Sequence, residues 1–136
     1  PAESTGSGLD ITVTRKDVNE IQLAKGAIRA GIEVLLADAG LSAGSIDEFI
    51  VAGAFGTYLD IGSAIKTGMF PSLPLSRFHQ VGNAAGAGAI QMLVSKKQRE
   101  KASSLASELD YIELTTDKSF SEKFFRCLQF SNQKDF

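Results

Sequence analysis

The sequence predicts an α/β domain, a layered sheet with flanking helices and largely parallel pairing. Three observations carry this. Short apolar runs at 49–52 and 78–81 read as buried strands. Each run ends in a stretch stripped of bulk: Gly53-Ala54-Phe55-Gly56 after the first, Gly82-Asn83-Ala84-Ala85-Gly86-Ala87-Gly88 after the second. Segments of helical period alternate with the strands, in the order helix, strand, helix, strand, helix, strand, helix.

Composition fits one such domain. The 136 residues are 43% hydrophobic and 22% charged, a balance that argues against disorder. Net charge is −2 with the signs intermixed, so there is no electrostatic footprint for nucleic acid. No apolar run is long enough to cross a bilayer and no signal peptide is visible, which predicts a cytoplasmic location. The chain opens without an initiator methionine, as an excised piece of something longer would.

Residues 1–10 are small and polar and read as a flexible lead-in. The domain is expected over 11–130, with 11–14 as a short extended stretch and 131–136 as a frayed tail. Thr14-Arg15-Lys16-Asp17 resembles a capping box with Asp in place of Glu. A long helix follows to about Ala39, stopped by Gly40. Its predicted apolar stripe is Val18, Ile21, Ile28, Ile32 and Leu35. Gly26, Ala27, Ala30 and Gly31 thin the neighbouring face. Asp60 reads as the N-cap of a short helix over 61–67, ended by Gly68. Pro71 and Pro74 mark a loop. From Ala84 a helix runs first small and apolar, then charged, with a break near Ser95 and a resumption to Leu109. Residues 111–114 alternate as a third strand. Residues 120–130 form a final helix rich in phenylalanine.

The usual catalytic constellations are missing. There is no Gly-x-Ser-x-Gly elbow and no P-loop, and residues 82–86 lack the dinucleotide spacing. His79, the only histidine, lies inside a strand and reads as structural. Cys127 is the only cysteine, so it forms no intrachain disulfide and cannot alone hold a zinc ion or an iron–sulfur cluster. Among Phe124, Phe125, Leu128 and Phe130 it reads as a small core hydrophobe. Asp60 is the nearest carboxylate to the glycine junctions, and capping explains it.

Binding is better supported than chemistry. Ligands of parallel sheets settle outside the carboxyl ends of strands, and glycine lets a flat or phosphorylated ligand approach the backbone. Two bared ends therefore suggest a nucleotide-binding edge. Phe55 either packs on the ligand or fills the core. Asn83 either bonds a ligand or ties loops through backbone groups. Lys25 falls on the apolar stripe of the first helix. Either its stem packs while its head snorkels to water, or its ammonium faces the ligand.

The same residues carry a resemblance. Ile50-Val51-Ala52-Gly53-Ala54-Phe55-Gly56, followed by Leu59-Asp60 and Ser63-Ala64, resembles the adenosine motif of the acetate kinase, sugar kinase, heat-shock chaperone and actin superfamily (ASKHA). Residues 82–89 resemble the start of that superfamily's interdomain-connecting helix. More narrowly, residues 17–36, the Ala-Gly-Ala-Phe-Gly run, residues 81–86 and residues 111–114 resemble the C-terminal part of the ATP-dependent reductive activators of corrinoid proteins, a ferredoxin-containing family. The likeness spans about 11–130.

The resemblance implies a ribonuclease H-like, actin-like ATPase subdomain. Family members carry an N-terminal two-iron two-sulfur domain, a linker and middle region, and a C-terminal ATPase-like domain. They use ATP, expected with magnesium, to drive an electron uphill to cob(II)alamin and restore cob(I)alamin for methyl transfer. The implied partners are a corrinoid protein and the remainder of the parent chain, with a homodimer left open and neither nucleic acid nor membrane involved. This chain lacks the cluster cysteines and the Asp-x-Gly-Thr phosphate loops. Only adenosine-side contacts carry over: Gly53, Ala54, Phe55 and Gly56, with Lys25 as a further candidate. No catalytic or metal-binding residue is assigned. The chain alone is expected to bind ATP weakly and not to hydrolyse it. Half of a sugar- or acyl-kinase-like phosphotransferase, or a non-enzymatic interaction module that kept the fold, remain as alternatives.

Overall fold

The computed structural model describes residues 1–130, apart from the side chain of Phe55; the expected tail over 131–136 lies outside them. A 3₁₀ turn at Ala2–Ser4 precedes the first long helix, α1 (Arg15–Asp38). The capping box forms as expected. The Asp17 amide donates to Thr14 Oγ1 at 3.3 Å, and the Thr14 amide donates to Asp17 Oδ2 at 2.7 Å. Bonds from the Thr14 side chain, then its backbone, hold the Asp17 carboxyl below the usual range. At the other end Gly40 takes φ +65°, and the Leu41 amide donates back to the Leu36 carbonyl at 2.8 Å, closing a Schellman-type stop.

The sheet is β1 (Phe49–Ala52) and β2 (Phe78–Gly82), paired in parallel. Phe49 lies opposite Phe78, Ile50 opposite His79 and Val51 opposite Gln80; an irregularity then sets Ala52 opposite Gly82. Helices α2 (Gly53–Tyr58) and α3 (Ile61–Lys66) connect the strands. After β2 come α4 (Ala84–Val94), α5 (Lys96–Glu108) and α6 (Lys118–Cys127). Each of α3 to α6 starts on a side-chain cap, from Asp60, Asn83, Ser95 and Asp117 in turn.

The core lies on one face of the strand pair. Val51, Ala64, Met69 and Phe70 are buried there, with Ile32 of α1 packed against them. Phe49 and Phe78 lie opposite each other across the strands at 5.0 Å between ring centroids, and Phe70 meets Phe49 tilted at 4.9 Å and stacks on Phe78 at 5.9 Å. The chain is brought under the sheet by Ala64, whose carbonyl accepts from both the Met69 and Phe70 amides.

Three expectations need correcting. Residues 111–114 are not a strand. The Glu113 carboxylate instead accepts from the Thr115 amide, the Thr115 hydroxyl and the Tyr111 hydroxyl, which bends the backbone into a turn. Leu114 then reaches α1 at Gly31. The strands are not buried throughout: Val51 is, but Ile50 is 59% exposed and Val81 47%, because one face has no covering layer among the described residues. Finally, α1 buries its small-residue face (Gly26, Ala30 and Gly31, with Val34 and Lys25) and leaves Ile21, Ile28 and Leu35 exposed. Glycine lets α6 come close: a Cβ at Gly26 would meet Leu128 Cδ2 at 3.1 Å and the Cys127 carbonyl oxygen at 3.3 Å.

Candidate functional site: the paired strand ends

β1 and β2 run the same way, so their carboxyl ends finish side by side, Ala52 beside Gly82. At the first end the chain turns from strand into helix within one residue. Gly53 makes that turn at φ +90°, a conformation closed to most L residues, and a Cβ built there meets nothing within 4 Å. Gly53 is therefore both conformationally required and open. Gly56 serves a different purpose: its missing side chain lets α2 lie directly on β1, since a Cβ would stand 2.7 Å from Val51 Cγ1 and 3.3 Å from the Val51 carbonyl. Ala54 is exposed on the turn between them. The backbone of Phe55 lies in α2, but its two readings concern a side chain outside the described residues.

The second end is locked to the first. Gly82 takes φ +60°, and a Cβ there would stand 3.7 Å from Thr57 Oγ1 of α2. Thr57 in turn donates to the Gly53 carbonyl at 3.2 Å. The Gln80 carboxamide on β2 donates to the Gly56 carbonyl and, at 2.9 Å, to the Leu59 carbonyl. Sequence reasoning passed over Gln80. Its signal was an amide in mid-strand two residues before a glycine exit. Asn83 takes the structural role, accepting from the Gly86 amide at 2.9 Å as the cap of α4.

The other candidates are engaged elsewhere. Lys25 is 1% exposed, so its head does not snorkel to water. Its ammonium donates to the Gln129 carbonyl and sits 5.2 Å from the centre of the Phe130 ring. Gln22, one turn earlier, donates to the Leu128 carbonyl at 3.2 Å, so α1 supplies donors to the C-cap carbonyl of α6 and to the one just past it. Burial lowers the Lys25 pKa, against the opposing influence of Cys127. Thus Gly53, Ala54, Gly56 and Gly82 come together at the sheet edge, and Lys25 instead contacts the α6 end. Asp60 accepts from the Ser63 amide at 2.7 Å, and hydrogen bonding from Ser63 holds its carboxyl below the usual range. Cys127 is buried, and burial pushes its thiol up, the opposite of an activated thiolate. Among the described residues no three of His, Cys, Asp and Glu converge as a metal site, and no helix is long and apolar enough to cross a membrane.

Two glycine-bared strand ends, side by side at one edge of a parallel pair, define an α/β domain of the kind that meets ligands at its strand termini. Comparison with known proteins narrows the class. The family described as the C-terminal domain of RACo, the ASKHA domain, matches residues 1–136, and the chain belongs to that family. It is 35% identical over 125 residues to the corrinoid activation enzyme RamQ of Eubacterium limosum, covering 92% of this chain and 21% of that one. It is 29% identical over 122 residues to the [Co(II) methylated amine-specific corrinoid protein] reductase of Methanosarcina barkeri, covering 88% of this chain and 22% of that one. A solved structure, a reductive activator for corrinoid, iron-sulfur protein, superposes with a TM-score of 0.84 at 34% identity, over 95% of this chain and 20% of that one. The chain therefore spans about a fifth of the length of these relatives.

Proposed function

We propose that this chain is the nucleotide-side C-terminal lobe of a cytoplasmic, ATP-dependent activator that returns corrinoid proteins from cob(II)alamin to cob(I)alamin. The observation that carries the reading is the adjacency of the two strand ends, in a chain whose relatives are named for corrinoid activation and reduction. The domain occupies 11–130. Gly53 and Ala54 present backbone to the adenosine side of ATP, with Phe55 next in sequence, and Gly56 serves the site by seating α2 on β1 beneath them. Gly53 fits that use because the space a side chain would fill is open. Lys25 reaches a ligand only by leaving the Gln129 carbonyl. The phosphates and their magnesium are gripped by the remainder of the parent chain, because Asp60, the carboxylate nearest in sequence to the first glycine stretch, is occupied as a cap. The reducing electron comes from a two-iron two-sulfur cluster elsewhere in the parent. ATP contributes by binding one conformation of the parent better than another, which is the only way a ligand shifts such an equilibrium.

Calorimetric titration of the full-length chain with ATP and ADP tests this. The wild type binds both. Gly53→Val, which sets a β-branched residue at a positive φ and fills the open space, weakens binding by at least about tenfold, or 1.4 kcal/mol. Lys25→Met leaves the affinity within about twofold if Lys25 serves only α6. Unchanged affinity in Gly53→Val would move the nucleotide off this edge. Phosphate transfer to a sugar or carboxylate by the full-length chain would replace the activator with a kinase.

A further inference from the structure

Gln80 breaks the pattern of its own strand. Side chains alternate faces along β2, so Gln80 lies on the side of Phe78, whose ring packs on Phe49 and Phe70. An apolar residue is expected there. Across the strand pair Gln80 lies opposite Val51, and these two residues grip the same short helix. Val51 takes α2 by packing, since its Cγ1 stands 2.7 Å from where a Cβ at Gly56 would be. Gln80 takes it by hydrogen bonds. Both N–H groups of its one amide nitrogen are used, on the Gly56 carbonyl and, at 2.9 Å, on the Leu59 carbonyl. Gly56 is in the last turn of α2 and Leu59 is its C-cap, so these are carbonyls that the helix itself leaves open. Among the described residues no other side chain from outside α2 bonds to this helix. At six residues α2 is too short to hold a place alone.

We propose that Gln80 is a positioning residue for the nucleotide: by holding α2 against β2 it sets where the Gly53 turn meets its ligand. The turn is the start of that same helix. Gly53 opens α2 at φ +90°, and Thr57, one residue past Gly56, donates to the Gly53 carbonyl at 3.2 Å. The link from Gln80 to the turn thus runs through one turn of hydrogen-bonded backbone. Gly53 has no side chain with which to adjust, and its contact with a ligand is made by backbone, so the seat of α2 decides the distance. Binding sites are held to within about half an ångström by groups that never touch the ligand. Position and stability separate here. The bond to Leu59 is exposed and that to Gly56 part-buried, so water replaces much of what is lost when the amide goes. Water does not restore the placement of α2. The role depends on the first strand end facing adenosine, as read above.

Calorimetric titration of full-length variants with ATP tests it. Gln80→Met keeps the bulk and loses both donors. Gln80→Asn keeps the amide but withdraws it by one methylene, a milder change to the fold. Neither adds a charge that a triphosphate would feel. Both weaken ATP binding at least about fivefold. Arg77→Met is the control. Arg77 also serves two carbonyls, those of Gly44 at 3.0 Å and Ile46 at 2.7 Å, but at the amino end of β2. Its loss leaves the affinity within about twofold, although it costs at least as much stability by denaturant midpoint, because bonds from a charged group are the stronger. Unchanged affinity in both Gln80 variants overturns the proposal. An equal loss of affinity in Arg77→Met also overturns it, since that would mark a general loosening of the sheet. If Gly53→Val binds ATP as tightly as the wild type, the strand end is not the adenosine side and the role of Gln80 falls with it. Weakened binding in Gly53→Val beside unaltered Gln80 variants refutes the role of Gln80 alone.

Discussion

Gly56 and Gly88 impose opposite demands at the residue scale. A Cβ at position 56 would enter the Val51 side chain and backbone, and neither can retreat without moving β1 off its core. Gly56→Ala therefore destabilises the domain by about 1–3 kcal/mol, the cost of overpacking. A Cβ at position 88 meets nothing within 4 Å, in the body of α4. Gly88→Ala adds up to about 1 kcal/mol, glycine's helical deficit. Denaturant midpoints of the two variants in the isolated domain, kept dilute, should move in opposite directions. A shared direction would mean that the strand-end packing is wrong. Gln80 makes a related point about position as distinct from stability. Its amide ties β2 to the Gly56 and Leu59 carbonyls, and the bond to Leu59 is exposed to water while that to Gly56 is part-buried. Gln80→Leu should therefore cost only about 1 kcal/mol of stability. If Gln80 sets the height of the Gly53 turn, nucleotide affinity falls at least about fivefold in calorimetry. An unchanged affinity would show that α2 keeps its place unaided.

At the scale of elements, the features read correctly from sequence were those decided within a few residues. The Thr14–Asp17 box, the Asp60 cap and the Gly40 and Gly68 stops each depend on one hydrogen-bonding side chain or one residue at positive φ, so four or five letters suffice. The two strands were legible for the same reason, as apolar runs cut off by glycine. What failed was decided at long range. Residues 111–114 alternate like a strand, but among the described residues they pair with neither β1 nor β2, and Glu113 bonds its neighbours instead. The face α1 buries was chosen by α6, which comes from about a hundred residues away and needs glycine for its close approach more than it needs large apolar side chains. In the candidate site, the two glycine stretches were visible in the sequence. Their contact through Thr57 and Gln80 was not, since it depends on the register of β1 against β2.

Lys25 belongs to this scale because it joins two helices. Lys25→Met keeps the buried stem and leaves the Gln129 carbonyl without its ammonium, a loss of about 1–3 kcal/mol for a bond to a charged group. Burial lowers the Lys25 pKa in the folded chain. Between that lowered value and the ordinary lysine range the unfolded chain holds more protons, so this group's contribution to stability rises with pH across that window and is flat below it. The stability difference between wild type and Lys25→Met should therefore widen as the solution is made alkaline. A difference that narrows there would mean the ammonium is stabilised, not penalised, where it sits.

For the whole molecule, the balance of buried and exposed apolar groups sets an expectation for the domain cut free. Among the described residues the buried apolar set is Ala30, Val34, Val51, Ala64, Met69, Phe70, Leu73 and Cys127, few for a chain of 136 residues. Against it stand exposed Ile21, Ile28 and Leu35 on α1, Ile50 on the sheet, and Leu93 and Val94 on α4. Parallel sheets are ordinarily covered on both faces, and a two-stranded one is marginal alone. Conformational entropy opposes folding in proportion to length, so a chain that buries little of its apolar surface cannot offset it. The isolated domain should therefore fall below the roughly 5–15 kcal/mol of an ordinary domain, bind a dye such as ANS, and associate as its concentration rises. In the full-length chain the same residues should unfold in one sharp transition and bind no dye. Calorimetry, ANS fluorescence and light scattering on the two lengths check this. A monomeric, cooperatively unfolding isolated domain would show that the faces left bare here tolerate water, and would remove the reason to expect the rest of the parent chain against them.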